Sequence, residues 1–238
     1  ASNMGVALCN YLSCAGRQRE RDRWARWLAG EVRKGGFSEA AAIREMPEAW
    51  SLLTEGHPWE AIAKLEALVA RLETTSEFDP ARVLALARDQ LGRMYTRVGW
   101  SQKAISVLEE AVEQSEALVT RASTSGQSKE AERALLAETL GDLADALKDA
   151  GRLDDAMIAA ERSIAIDRDL GNHSSVAAGV GRSAQILEGQ GRYPEADARY
   201  DEVLQAARQA GDRWLEGATL QNQGDVAHRR NQYDRATK

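Results

Sequence analysis

Two cysteines and three histidines in 238 residues leave little from which to assemble a metal centre or a nucleophile and its base. Cys9 and Cys14, five apart in a stretch that reads as helix, are expected to be buried structural thiols in a reducing cytoplasm. Prolines number only 4 and aromatic residues make up 5%, while Ala, Leu, Arg and Glu dominate, which favours helix over sheet. An excess of basic charge is missing too. Lys and Arg total 31 against 37 acids, a net charge of −6, so the chain has no general surface for a nucleic-acid backbone, and nucleic acid is disfavoured as a partner. No apolar run approaches the ~18 residues that a membrane span needs, and no signal peptide is evident. The expectation is a cytoplasmic protein without a membrane partner.

Catalytic signatures are absent as well: the chain contains no GxxxxGK[ST], GxSxG, HExxH or CxxC. His57, His173 and His228 fall in three different segments that no spacing rule brings together, and solvent exposure is expected for each. The pair Asp154-Asp155 stands at a predicted helix start, where carboxylates favour the helix dipole. The sequence therefore implies no enzyme, no catalytic residue, no cofactor and no metal.

What is present is a repeat. "GRLDDAMIAAERSIAIDRDLGN" opens at Gly151 and "GRYPEADARYDEVLQAARQAGD" opens at Gly191, forty residues later. With Ala156 and Ala196 as anchors, the series runs Arg21, Ala61, Ala104, Ala156, Ala196, Ala236, with spacings of 40, 43, 52, 40 and 40. Five residues before each anchor stand Gly16, Gly56, Gly99, Gly151, Gly191 and Asn231, residues that tolerate the positive φ a tight inter-helix turn needs. Twelve before each stand Cys9, Ala49, Gly92, Ala144, Ala184 and Gly224, all small, as close helix crossings require. Apolar residues nine before and eight after complete a helical spacing. Each unit is predicted to be a hairpin of helix A, a turn and helix B. Pro58 and Pro194 fall in the first turn of helix B, and Asp79-Pro80 open a helix A. A lone hairpin cannot bury its apolar face, so neighbouring hairpins stack.

The units run about 1–36 (degenerate, with Arg21 at the anchor), 37–79, 80–125, 128–172, 173–212 and 213–238 (truncated), together one solenoid over 1–238. Pro47 is expected to kink or split its helix near Met46. The spacing of 52 predicts an extended hairpin tip at 120–131. Six extra residues on each helix would lengthen it by roughly 9 Å. Both ends read as cut, like a piece of something larger.

"LGRMYTRVGWSQKAISVLEEAV" (Leu91 to Val112) and "GRYPEADARYDEVL" (Gly191 to Leu204) resemble the tetratricopeptide repeat family, in the longer variant of G-protein-modulator and kinesin-light-chain-like proteins. The resemblance covers nearly the whole chain. It implies an all-α, right-handed α-solenoid of stacked antiparallel hairpins, and a concave wall made by helix A residues fifteen, eleven, eight and seven before each anchor. Carried onto this sequence, the candidate partner-binding residues are Asn10, Met46, Trp50 and Leu53; then Asp89, Arg93 and Arg97; then Asp145, Lys148 and Asp149; then Gln185 and Glu188; and last Asp225 and Arg229.

The function expected is a non-enzymatic protein or peptide interaction module, the repeat segment of a larger bacterial-type sensor, signalling or scaffold protein. Alternatives are a peptide-binding segment of a transcriptional regulator, and the sensing arm of a nucleotide-hydrolysing switch or caspase-like protease. Along the wall, apolar, basic and acidic stretches succeed one another, so the expected ligand carries an apolar anchor followed by acidic and then basic residues.

Overall fold

Among the described residues, each change of direction from helix A to helix B turns on a glycine of positive φ. In the computed structural model, which describes residues 37–124 and 128–236, the described residues form nine α-helices and no strand. These are α1 (Glu39–Thr54), α2 (Pro58–Thr74), α3 (Ala81–Arg97), α4 (Ser101–Thr124), α5 (Glu130–Asp149), α6 (Leu153–Leu170), α7 (His173–Gly189), α8 (Tyr193–Ala210) and α9 (Arg213–Ala236). The chain is thus an all-α helical-repeat protein. By backbone packing it divides into two compact units, Ala1–Met94 and Tyr95–Lys238.

In the first unit α1 packs on α2. Ser38 caps α1, its hydroxyl accepting the Ala41 N–H at 3.3 Å from an extended backbone. Of the kink or split expected at Pro47, the split does not occur: the helix runs unbroken from Glu39 to Thr54. Ala40, Ala41 and Ala42 are buried before the proline and Ala49 after it, so packing on both sides holds the helix together across it. Asp79 acts one residue earlier than expected: its carboxylate accepts from Ala81 N at 3.1 Å, and helical residues begin after Pro80.

In the second unit each helix packs on the next from α4 to α9, and the helix A elements α5 and α7 also touch. The turn after α5 shows how the sequence writes this. Gly151 has φ 77°, its N–H donates to Lys148 O at 2.9 Å, and Arg152 N–H donates to Leu147 O at 2.9 Å. Those two bonds satisfy carbonyls that the helix end would otherwise leave unpaired. The same pair recurs at Gly191 (φ 73°), from Gly191 to Glu188 and from Arg192 to Leu187, both at 2.9 Å. At Asn231 the expected turn is not made, and α9 continues to Ala236. Among the described residues only glycines take a positive φ. An asparagine pays a Cβ penalty there, so continuing the helix and its hydrogen bonds wins.

The anchors Ala61, Ala104, Ala156 and Ala196 are all 0% exposed, as are the small crossing residues Ala49, Ala144 and Ala184. Around them Ile164, Ala177, Val180 and Val203 form one core cluster, flanked by Val176 and Leu215, and Ala184, Tyr200 and Val226 form another. The long spacing does lengthen two helices, but unevenly. α4 has 24 residues and α5 has 20, against 16 to 18 in α1, α2, α3, α6, α7 and α8. Ala111, Ser115 and Ala122 carry the buried stripe of α4 through the added turns, which is why that helix takes the larger share.

Candidate binding groove

The residues expected on the helix A wall separate into those already engaged within the protein and those left open. Asn10 lies outside the described residues. In the first unit Met46 is buried, Asp89 is buried, and Trp50 and Leu53 are half-buried. The Trp50 indole N–H donates to Gln90 Oε1, and the Arg93 guanidinium lies 5.0 Å from the centre of the Trp50 ring.

In the second unit, Arg97, Asp149, Gln185, Asp225 and Arg229 are exposed, Asp145 and Lys148 are half-buried, and Glu188 is buried. The structure brings several of these together. Asp145 accepts from Arg182 Nε at 3.0 Å and lies 3.4 Å from Lys148 Nζ. Lys148 Nζ also donates to Gln185 Oε1 at 3.0 Å. Glu188 serves the core: one oxygen accepts from the buried Tyr200 hydroxyl at 2.5 Å and the other lies 3.3 Å from Arg229. Burial, reinforced by this bond to a carboxylate, drives the Tyr200 phenol pKa far above its ordinary value. Arg93, Asp145, Lys148, Glu188 and Arg229 are therefore all committed inside the protein. The alternating charge expected to read a ligand is in large part spent on internal pairs.

A second set of positions, fourteen before Ala104, Ala156, Ala196 and Ala236, emerges only in three dimensions. They are Gln90, Asp142, Arg182 and Asn222. Gln90 bonds to Trp50, and Arg182 bonds to Asp145, which stand eleven before the anchor of the preceding hairpin. Arg182 reaches its partner because Gly141 has no side chain: a Cβ built there would lie 2.9, 3.1 and 3.2 Å from the guanidinium Nη1, Cζ and Nη2. Those near-equal distances mean that the guanidinium packs face-on against the glycine. One repeat later the same three places hold Gly181, Asn222 and Gln185, each forty residues on. Here nothing lies within 4 Å of a Cβ built on Gly181. Asparagine is too short to fill the notch that arginine fills upstream.

The result is an open groove of about 270 Å³ lined by α7 and α9. Ala177, Ala178, Gly181 and Ala218 give it small-residue walls, with buried Tyr200 and Val203 from α8 beneath. Among the described residues its charged lining groups are Asp145 and Arg182, which pair with each other. The Asn222 side-chain amide has no hydrogen-bond partner among the described residues. Neither Asn222 nor Arg182 belongs to the wall positions read from the sequence, although the forty-residue recurrence of polar residues at 142, 182 and 222 marks the place.

The opposite surface is occupied by its own charges. Arg162 pairs with Glu116 at 2.5 Å, Arg199 with Glu161 at 2.6 Å and Arg168 with Glu202 at 3.1 Å, tying α4, α6 and α8 each to the next. His57, His173 and His228 are exposed on separate elements, as expected. Asp154 and Asp155 open α6, engaged by Gln190 and Arg152 at 2.9 and 2.8 Å. Among the described residues no helix is long and apolar enough to cross a membrane.

Stacked antiparallel helical hairpins, joined by glycine turns and presenting a groove on their helix A faces, define a helical-repeat interaction protein. Tetratricopeptide-repeat family models match residues 137–170 and 176–238, so these stretches carry tetratricopeptide repeats. No curated protein matches its sequence. Several solved structures share its fold. The nearly identical TPR-like repeats of a kinesin light chain from Podosopora anserina are 20% identical, with 88% of this chain and 95% of that one covered and a TM-score of 0.58. PlcR from Bacillus thuringiensis, in complex with the peptide PapR7 and DNA, is 13% identical over 91% of this chain and 74% of that one, TM-score 0.68. A Rap protein complexed with competence and sporulation factor is 10% identical over 99% and 74%, TM-score 0.63. At these identities the likeness is one of fold.

Proposed function

We propose that the chain is a non-enzymatic interaction module of a sensor or scaffold, and that it takes an extended protein or peptide segment in the groove lined by α7 and α9. The observation that carries this reading is the notch at Gly181, open, walled by small residues and faced by an unpartnered amide. Small walls let a backbone approach closely, and pre-formed concavity lowers the ordering cost of binding. The paired charges on the outer helices leave that surface with less to offer a partner. PlcR and the Rap protein, which share the fold, are seen in complex with the peptide PapR7 and DNA and with competence and sporulation factor, respectively. That supports a peptide as the kind of occupant, and a peptide-responsive regulator as the second reading of the whole protein.

The test is selection of a random dodecapeptide library on the immobilised chain, followed by binding to Gly181→Leu. A Cβ at Gly181 meets nothing within 4 Å, so this variant folds while its side chain plugs the groove. Selected peptides should lose binding to the plugged variant. Peptides that bind it equally well would put the interface elsewhere and end this reading.

A further inference from the structure

The groove is a vacated copy of a contact the protein makes one repeat earlier. Upstream, a flat guanidinium lies on the bare Cα of Gly141 and donates to the carboxylate of Asp145. Downstream, the equivalent trio is Gly181, Asn222 and Gln185. Both members of the ion pair have become amides, and the shorter Asn222 leaves the planar slot empty. We infer that this slot receives a planar, uncharged group, namely a main-chain peptide bond of an extended neutral segment, paired by the side-chain amides of Asn222 and Gln185. The inference rests on the peptide-binding reading above and specifies its ligand.

Shape and charge both argue for that occupant. A peptide unit is planar and presents one N–H donor and one C=O acceptor. Asn222 carries a donor and an acceptor without partners among the described residues, while Gln185 Oε1 already accepts from Lys148. An amide pair therefore matches a peptide unit in both senses, which a lone cation or carboxylate would not. Formal charge on the ligand gains nothing here. Asp145 pairs with Arg182 at 3.0 Å and with Lys148 at 3.4 Å, and Lys148 also donates to Gln185, so burying a ligand charge beside them costs desolvation and meets no counter-charge that is not already engaged. The slot thus rejects charged segments by leaving them unpaired.

The experiment uses the full chain and three pools of capped octapeptides. One is built from Ala, Val, Ser and Leu only; the other two have two positions replaced by Glu or by Lys. The first pool lacks side-chain amides, so binding it reports main-chain recognition. Affinities are measured by fluorescence anisotropy, and the side-chain amide signals of Asn222 and Gln185 are followed by NMR. The neutral pool should bind tightest and shift both signals. The double substitution Asn222→Arg with Gln185→Asp rebuilds the upstream ion pair in the downstream slot, and should weaken the neutral pool by about tenfold or more, the scale of losing a paired amide contact. Asp145→Asn, which frees Arg182, should raise the standing of the Glu pool relative to wild type. Preference of the wild-type chain for a charged pool overturns the inference. So does unchanged neutral binding by the double variant: if Gly181→Leu still abolishes binding, the groove stands and only its neutral-amide specificity falls. Binding indifferent to both variants, or no binding by any pool, overturns the groove and the inference together.

Discussion

Ile164 of α6 fills the space that a side chain at Gly179 of α7 would need: a Cβ built there would lie 2.6 Å from Ile164 Cγ1. Ile164 is itself fully buried in the cluster with Val180 and Val203 and has no room to retreat. Gly179→Ala should therefore destabilise the protein by about 1–3 kcal/mol through overpacking. Gly181→Ala, two residues along the same helix but facing open space, should instead raise stability by up to about 1 kcal/mol through helix propensity. Urea unfolding of the two variants beside wild type checks the contrast, and a matching loss in both would contradict the packing described.

Pro47 lies exposed inside an unbroken helix. It removes one helical N–H, leaves the Ile43 carbonyl without its donor and crowds the preceding turn. Pro47→Ala should stabilise the unit containing α1 by about 1–3 kcal/mol. Hydrogen exchange of the α1 amides would show slower opening. Faster opening would mean that the proline suits a bend the helix prefers.

Ala196→Leu tests the anchor register. Ala196 is 0% exposed in α8, so a larger side chain there must displace its packed neighbours. A loss of about 1–3 kcal/mol is expected, read as a fall in the thermal midpoint.

Tyr200 and Glu188 link stability to alkaline pH. The folded chain holds the Tyr200 proton more tightly than an unfolded chain does, since burial and the neighbouring carboxylate raise its pKa above the usual 10.0. The unfolded state thus loses this proton first, and the stabilisation is complete below pH 10 and declines as pH rises above it. Tyr200→Phe should remove that part of the alkaline decline. At neutral pH it should cost about 1–3 kcal/mol, because buried Glu188 loses its donor. Denaturant titrations from pH 7 to 11 read both effects, and an unaltered alkaline slope would rule out this linkage.

Much of the architecture was legible from residue type because it depends on short-range geometry. Glycine at 56, 99, 151 and 191 supplies the positive φ of each turn, and the buried alanines at 61, 104, 156 and 196 admit a neighbouring backbone. Both features act within a single hairpin, so they repeat with its period. Asn231 shows the limit, because a residue that tolerates a turn does not compel one, and α9 runs on.

The polar pairs were not legible. Trp50 with Gln90, Asp145 with Arg182, and Glu188 with Tyr200 and Arg229 are set by how far one helix is offset along the next, which spacing within a helix does not contain. That offset turned expected ligand contacts such as Glu188 into internal supports. By itself the sequence determined the helices, the glycine turns and the repeat, since these follow from backbone conformation and close packing. Only the tertiary structure decided that Gly141 is covered by a guanidinium and Gly181 is bare, because that depends on side chains of unequal length reaching across from the next repeat.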